Sequence, residues 1–335
     1  MKGQVFTVAK IHYINGVVYM VADRDSTTLQ FLAQHSNKTT KSGNVQHPLV
    51  RVRTLARLAE GIGLLNIKKK DGKVEITDLG REYYSKRAAD KWSLSQAQKE
   101  LLCDYILSDY YRTETIYAIT SLFKLVKSGY TGRALAHQFA IEIGKEQAWK
   151  SEVTYKGFTE FGLNYINELG LLEIDDKSLL LKDMAKEVRY QENVNTVQPI
   201  KLPDGELPRP EPKKLGNSEK YTSNPRRSKN ALIHAGFKCE INQTHTTFIN
   251  KKSKQQYMEA HHLIPMQQQG KFENDIDVPE NILCLCPNCH RKIHLADDAS
   301  KKEMLKQVYE KKKDELPKRG IEISFNTLKR FYSMS

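Results

Sequence analysis

The clearest pattern in the N-terminal half is a run of apolar residues at helical spacing that gives way to short alternating segments. Residues 48–62 form the helical run, and residues 63–65 (Gly-Leu-Leu) follow it directly. A polar turn at 71–72 then precedes an alternating segment at 74–76, and a new helical pattern opens at Thr77. This order predicts a helix, a two-stranded hairpin and a second helix.

The same order recurs 107 residues later, since Gly170 stands where Gly63 stood. A turn at 175–177 and an apolar segment at 179–181 predict a second hairpin. Residues 182–185 then match the helix start that follows the first hairpin, although the second hairpin is two residues shorter. An internal repeat of this kind indicates two copies of one structural unit.

The repeated unit resembles a winged-helix domain, which has the same order of helix, hairpin and helix. We therefore expect two tandem winged-helix-like domains, at residues 1–92 and 93–192. Residues 4–22 alternate loosely around Asn15 and Gly16, and this predicts a further short hairpin ahead of the first helix.

The chain changes character after the second repeat. Residues 198–227 carry several prolines among charged residues and few large apolar ones. This composition predicts a semi-extended linker, at residues 193–222, between the repeats and a C-terminal domain at 223–335. The overall expectation is a multidomain α+β protein with tandem winged-helix-like domains followed by the C-terminal domain.

Composition narrows the function classes. Lys and Arg outnumber Asp and Glu by 53 to 40, for a net charge of +13 over 335 residues, and such a balance suits a polyanionic partner. No apolar run is long enough to span a membrane, and the first residues lack the pattern of a signal peptide. Four of the five cysteines fall near one segment, which fits reduced, metal-binding cysteines in the cytoplasm better than disulfides.

That segment, residues 259–294, carries the candidate chemistry. His261 and His262 are adjacent, so in a strand their side chains point to opposite faces. His290 and His294 are four residues apart, so on a helix they share one face and can bind one ion. Cys286 and Cys289 form a C-x2-C motif immediately before them, a spacing suited to structural zinc.

These residues resemble the HNH nuclease family, and the resemblance covers roughly residues 225–297. His262, Asn281 and His290 match the three letters of the family name in order. The resemblance implies a β-hairpin followed by a helix around one catalytic metal, that is, a C-terminal ββα-metal nuclease domain with structural zinc.

The resemblance also implies a role for each residue. His262 is the general base, and His261, His290 and His294 bind a divalent cation such as Mg²⁺, Mn²⁺ or Ni²⁺. His294 is the least firmly implied ligand, because some relatives bind the metal with fewer histidines. Asn281 is expected to hydrogen-bond across the loop and orient His262. The products would carry a 5′-phosphate and a 3′-hydroxyl.

The zinc ligands depart from the common family pattern of two C-x2-C motifs. The first motif here reads Cys239-Glu-Ile-Asn242, with asparagine in place of the second cysteine. His245 is close enough in sequence to substitute, and Cys284 is the rival ligand. The favoured zinc set is the following: Cys239, His245, Cys286 and Cys289.

The favoured function is a site-specific endonuclease for double-stranded DNA, a restriction enzyme of type II, in the cytoplasm. The first predicted helix would read DNA through Arg51, Arg53 and Arg57, although these arginines also fit an ordinary solvated helix face. Cutting both strands would suit a homodimer, and no membrane partner is expected. The alternatives are a modification-dependent restriction nuclease that senses a methylated base, and a winged-helix regulator with an inactive nuclease domain.

Overall fold

The structure is a computed structural model that describes residues 6, 8–43, 45–68, 70–215 and 218–332. Its contacts divide the chain into two compact units. The N-terminal unit comprises Met1–Lys182 with Lys214–Glu219, and the C-terminal unit comprises Asp183–Lys213 with Lys220–Ser335. Within the described residues, no helix is both long and apolar enough to cross a membrane.

The first part of the N-terminal unit contains short helices and a three-stranded antiparallel sheet of order β1-β3-β2. A 3₁₀ turn at Ile11–Ile14 precedes them. The elements are α1 (Asn15–Ala22), β1 (Ser26–Thr28), α2 (Leu29–Gln34), α3 (Ser36–Thr39), α4 (Pro48–Gly61), β2 (Leu65–Lys68), β3 (Lys73–Ile76) and α5 (Asp78–Ser85).

The α4, β2, β3, α5 segment follows the order that the sequence predicts for the first repeat. Pro48 begins α4, where its missing N–H costs nothing. Gly63 follows α4 with φ +84°, and a side chain there would collide with the Tyr105 ring, so glycine is required. Thr77 caps α5 by accepting a hydrogen bond of 2.9 Å from the N–H of Gly80.

The hairpin expected at residues 4–22 is wrong in its described part. Asn15 begins helix α1 instead of a turn, and its side chain is fully buried. The amide nitrogen of Asn15 donates to the carbonyls of Lys91 and Ser93, and its amide oxygen accepts from the Tyr83 hydroxyl at 2.6 Å. Asn15 therefore serves a tertiary contact that the local sequence does not reveal. Residues 1–5 and 7 lie outside the described part of the chain.

The second part of the N-terminal unit is helical. Its elements are α6 (Gln96–Ser108), α7 (Glu114–Lys127), α8 (Gly132–Glu142), α9 (Glu152–Leu169), a 3₁₀ turn at Leu171–Glu173 and the first turns of α10 (Asp176–Thr196), whose residues from Asp183 onward belong to the C-terminal unit. The second hairpin predicted at 173–181 is therefore wrong. Asp175 accepts a hydrogen bond from the N–H of Ser178 and starts a helix where a turn was expected. A short apolar run such as 179–181 suits either element, and tertiary context decides between them.

The buried residues of the N-terminal unit form one hydrophobic core that includes residues from both sides of the expected division at 92 and 93. Phe6 stacks on Phe139 with ring centroids 6.0 Å apart, and its ring and the Leu122 side chain leave no room for a side chain at Gly162. The contacts thus divide the chain differently from the four expected segments.

The C-terminal unit is built on a β-hairpin and a helix. Strand β6 (Glu259–His262) pairs antiparallel with β7, the register placing His261 opposite Leu283 and His262 opposite Ile282. The other elements of the C-terminal unit are α11 (Pro225–His234), β7 (Ile282–Leu285), α12 (Pro287–Leu295), α13 (Asp298–Lys312) and α14 (Phe325–Phe331). Strands β4 (Lys213–Leu215) and β5 (Ser218–Lys220) pair with each other, and most of their residues belong to the N-terminal unit. Further 3₁₀ turns lie at Met266–Lys271, Pro279–Asn281 and Leu316–Arg319.

The proline-rich segment expected as a linker makes specific contacts with the C-terminal unit. The N–H of Ile200 donates to the Asn230 side chain at 3.2 Å, and Arg319 donates to the carbonyl of Pro203 at 2.7 Å. The carbonyl of Leu207 accepts from the N–H of Asp275 at 2.8 Å. These hydrogen bonds hold the first part of the segment against the rest of the C-terminal unit instead of leaving it in solvent.

Candidate active site and cysteine cluster

Three histidines meet between strand β6 and helix α12. One nitrogen from each of His261, His290 and His294 lies within 4.8 Å of the other two. The Nε2 atoms of His290 and His294 are 3.3 Å apart, as expected for residues four apart on one helix face. His261 and His290 are buried, whereas His294 is exposed and leaves the cluster open to solvent.

The electrostatics of the cluster fit a cation. Burial, and then the neighbouring histidines, lower the pKa of His261 well below its usual value. Burial and His290 also lower the pKa of His294. Neutral imidazole is the form that binds a metal ion. Three neutral imidazole nitrogens that face one another are suited to binding a divalent transition metal.

Two side chains, the buried Glu259 and the half-buried Tyr332, fix the orientation of these histidines, and the sequence analysis missed both. Glu259 accepts a hydrogen bond of 2.6 Å from Nδ1 of His290, which turns Nε2 of that ring toward the cluster. Tyr332 donates its hydroxyl to the carbonyl of Leu263 at 2.9 Å, so it accepts from Nε2–H of His261 at 2.8 Å. The lone pair of Nδ1 of His261 is then available. Glu259 precedes His261 by two residues, and this period-2 spacing was the available signal.

His262 lies on the other face of β6 and has its own carboxylate partner. Its Nε2–H donates to the Asp277 carboxylate at 2.8 Å, and no described residue forms a hydrogen bond with its Nδ1. Asp277 is itself held by the backbone N–H of Asn224, and Arg227 donates to the Asp277 carbonyl at 2.9 Å. The arrangement leaves an imidazole with one nitrogen anchored and the other carrying its lone pair.

Asn281 hydrogen-bonds across the loop, as the family resemblance implies, but to backbone groups. Its amide oxygen accepts from the N–H of Ile264 at 2.8 Å, and its amide nitrogen donates to the carbonyls of Ile264 and Ile276. The side chain is fully buried. Asn281 therefore fixes the segments on either side of the site, while the direct partner of His262 is Asp277.

A second cluster forms at the start of α12. One atom from each of four side chains lies within 4.8 Å of the other three, and these residues are Cys239, His245, Cys286 and Cys289. Nδ1 of His245 is 3.5 Å from Sγ of Cys286 and 3.4 Å from Sγ of Cys289. Three sulfurs and one imidazole nitrogen fit a structural zinc site.

The electrostatic surroundings of this cluster favour the thiolate form of Cys239. Burial raises the pKa of Cys239, but the backbone amides of Asn242, Cys286 and Ile241 act against it and bring that pKa to about 7. Burial and then Cys239 raise the pKa of Cys289. Cys284, the rival ligand, lies outside the cluster on β7, and burial raises its thiol pKa as well.

The three arginines proposed to contact DNA all lie on α4 of the N-terminal unit. Arg53 and Arg57 are exposed and four residues apart, so they share one helix face. Arg51 is half-buried. Burial raises the pKa of Tyr165, and the positive charge of Arg51 acts against that rise. The structure thus brings together two of the three arginines.

A strand pair and helix around three histidines, with a further anchored histidine beside them, define a metal-dependent nuclease domain. Residues 239–294 match the family model described as HNH endonuclease, and the chain therefore carries an HNH endonuclease domain. Over 53 residues the chain is 40% identical to the type IV methyl-directed restriction enzyme EcoKMcrA of Escherichia coli (strain K12). This similarity covers 16% of the chain and only 17% of that relative.

Proposed function

We propose that this chain is a restriction-type endonuclease that hydrolyses double-stranded DNA site-specifically, as a type II enzyme does, and leaves 5′-phosphate ends. The observation that carries the proposal is the pair of histidine arrangements on opposite faces of β6. His261, His290 and His294 converge on one face, and His262 stands anchored by Asp277 on the other. The catalytic set is His262, Asn281 and His290.

His262 acts as the general base in this proposal. The Asp277 carboxylate accepts a hydrogen bond from Nε2–H of His262, so Nδ1 carries the lone pair that takes a proton from the attacking water. The water oxygen bonds to phosphorus, the bond to the 3′-oxygen breaks, and the strand ends are a 5′-phosphate and a 3′-hydroxyl. Asn281 holds the loop that follows His262 through its bonds to Ile264.

His261, His290 and His294 would hold the divalent cation, with Mg²⁺, Mn²⁺ and Ni²⁺ as the candidates. Such a cation supplies Lewis-acid chemistry, polarising the phosphate and stabilising charge on the departing oxygen. Glu259 keeps Nδ1 of His290 protonated and so keeps its Nε2 available. The exposure of His294 provides the opening through which a phosphate enters.

The cysteine cluster would hold a zinc ion that stabilises the fold. Its residues come from the loop after α11 and from the first turn of α12. A zinc ion there ties these two segments together, which positions α12 and with it His290 and His294.

Sequence reading is assigned to the N-terminal unit, as a winged-helix-like reader with Arg51, Arg53 and Arg57 on its recognition helix. The order of helices and strands from α1 to β3 supports this assignment, as does the net charge of +13. The domain bounds at 1–92 and 93–192, the linker at 193–222 and the homodimer that would cut both strands belong to the proposal, with α10 in place of the hairpin predicted for the second domain.

A second candidate is a nuclease that requires a modified base. The observation that favours it is the similarity to a methyl-directed enzyme, although the similarity covers only 53 residues of the chain. Digestion of the same plasmid in methylated and unmethylated form, followed by sequencing of the ends, tests both candidates. Cuts at one sequence in unmethylated DNA support the first, and cuts only in methylated DNA support the second. If neither DNA is cut with any of the three cations, the proposal of a nuclease fails.

A further inference from the structure

One face of α4 presents an unusual combination of side chains to solvent. Val50, Arg53, Thr54 and Arg57 follow the spacing i, i+3, i+4, i+7 and so form one stripe along the helix. Val50 is 63% exposed, although it is a β-branched apolar residue in the first turn of the helix. We call this set the α4 stripe.

The two arginines of the stripe have no side-chain partner among the described residues. Neither Arg53 nor Arg57 forms a side-chain hydrogen bond or an ion pair with any described residue. The Thr54 hydroxyl is already used, because it donates to the carbonyl of Val50 at 2.9 Å. The stripe therefore offers one apolar group and two guanidinium groups to a partner. An exposed apolar group followed by two cations along one helix face suits an anionic partner that also presents an apolar contact.

The dimensions of the stripe match the major groove. Seven residues of helix rise about 10 Å, and three residues rise about 4.5 Å. Stacked bases repeat about every 3.4 Å along each strand. The stripe thus spans about three base pairs, and Val50 and Arg53 reach neighbouring ones. Residues in the first turns of a recognition helix are those that contact base edges.

The neighbouring hairpin adds positive charge on the same unit. Lys68 and Lys73 both pair with Glu75 at 2.8 Å, while Lys70 at the turn is exposed. The Glu60 side chain on α4 accepts from the N–H of Ile67 on β2 at 2.9 Å, which ties the hairpin to the helix. Lysines at such a turn suit phosphate contacts, which position a duplex without reading its sequence.

We propose that the α4 stripe binds duplex DNA in the major groove and recognises 5-methylcytosine next to guanine. Val50 packs on the C5-methyl group, and Arg53 donates to O6 and N7 of the neighbouring guanine, with Arg57 reaching further along the groove. This inference rests on the second candidate function, a nuclease that requires a modified base, and names the base that the reader senses. It assigns a role to Val50, which the charge pattern alone did not single out.

The arginines select cytosine over thymine as the source of the methyl group. Arginine pairs best with guanine, so a stripe with two arginines is suited to G·C pairs. The apolar group that a modified G·C pair presents to valine in the major groove is the C5-methyl of cytosine. Thymine carries the same methyl group but in an A·T pair, where arginine finds no bidentate partner.

The test uses the full chain with His262→Ala, so that the DNA stays intact, and four amplicons of one sequence. The amplicons combine cytosine or 5-methylcytosine with thymine or uracil, since uracil lacks the methyl group of thymine. Competition binding measures the affinity for each. We expect 5-methylcytosine to raise affinity about fourfold, the gain from burying one methyl group, whether thymine or uracil is present.

Val50→Ala should remove this preference and leave the affinity for unmethylated DNA within about twofold. Val153→Ala is the matched control, because Val153 is 82% exposed on α9 of the same unit. Arg53→Ala should lower the affinity for methylated DNA about tenfold. Arg133→Ala on α8, whose side chain is 77% exposed, is its control.

Either of two unexpected preferences, or the absence of any preference, overturns the inference. One is a preference that follows thymine instead of 5-methylcytosine, and the other is a methylcytosine preference that survives Val50→Ala. DNA binding without any methyl preference also contradicts it, but leaves the proposed nuclease intact. Failure of the wild-type chain to bind or cut any of the four amplicons would instead refute the proposed function.

Discussion

The cysteine cluster and the histidine cluster at helix α12 differ in the number of ligands they offer and in their exposure to solvent. The cysteine cluster offers four ligand side chains, three of them buried cysteines, and is closed by His245. The histidine cluster offers only three side chains, and one of them, His294, is exposed. A closed set of four is typical of structural metal sites, and an open set of three is typical of catalytic ones. We therefore expect two adjacent turns of one helix to serve different purposes, one structural and one catalytic.

The largest expected effect comes from the closed cluster. Cys289→Ser should remove the zinc and destabilise the C-terminal unit by more than about 4 kcal/mol, because zinc binding is coupled to folding. Elemental analysis and thermal unfolding measure both consequences. Cys103→Ser, a change at a buried cysteine outside both clusters, should leave the zinc content unchanged. A stable Cys289→Ser protein that retains its zinc would contradict the assignment.

The next largest effect is expected at His262, the proposed general base beside the histidine cluster. His262→Ala should slow DNA cleavage by about 10²–10⁴-fold while preserving zinc content, thermal stability and DNA binding, because only the proton acceptor is lost. Single-turnover cleavage assays measure the rate. Asp277→Asn should give a smaller loss, since the ring remains but its anchoring carboxylate is weakened. Near wild-type cleavage by His262→Ala would rule out its role as base.

A more moderate effect is expected at the buried carboxylate behind the open cluster. Glu259→Gln should raise the cation concentration needed for half-maximal cleavage about 10–100-fold, because the orientation of His290 is no longer fixed. Glu240→Gln provides a matched control: this carboxylate pairs with Lys312 and does not touch the histidines. An unchanged cation requirement in Glu259→Gln would show that the hydrogen bond does not act through the cation.

The smallest effect is expected at Cys284, and its comparison with His245 distinguishes the two candidate zinc ligands. His245→Ala should lower the zinc content well below one per chain, whereas Cys284→Ala should keep one zinc and cost about 1 kcal/mol of stability through the small cavity it leaves. Elemental analysis of the purified variants measures the zinc content, and thermal unfolding measures the stability. Equal zinc loss in the two variants would mean that His245 is not the fourth ligand.

Much of the site could be predicted because its geometry is local. Adjacent residues of a strand face opposite sides, which separates His261 from His262. Residues four apart on a helix share a face, which joins His290 to His294, and the first turn of the same helix carries the C-x2-C motif. These relations depend on helix and strand periods alone, so the sequence contained them.

The partners of these residues came only with the tertiary structure. Tyr332 reaches His261 across 71 residues of chain, and Asp277 reaches His262 across 15. Glu259 is 31 residues from His290, although its place on β6 was visible. No periodicity links positions so far apart, because their contact depends on how whole elements pack.

The N-terminal unit shows the same limit at the level of secondary structure. The two repeats share an order of apolar and polar positions, yet one contains the hairpin β2–β3 and the other contains helix α10. In the second copy, helix α10 extends as far as Gln191 and beyond. The Gln191 side chain hydrogen-bonds both the N–H and the carbonyl of Ala260 on β6. The sequence by itself determined which residues could bind metal, through spacing along strand and helix. Tertiary packing decided which elements formed and which carboxylates faced the histidines, because burial and long-range hydrogen bonds outweigh local preference in a short ambiguous segment.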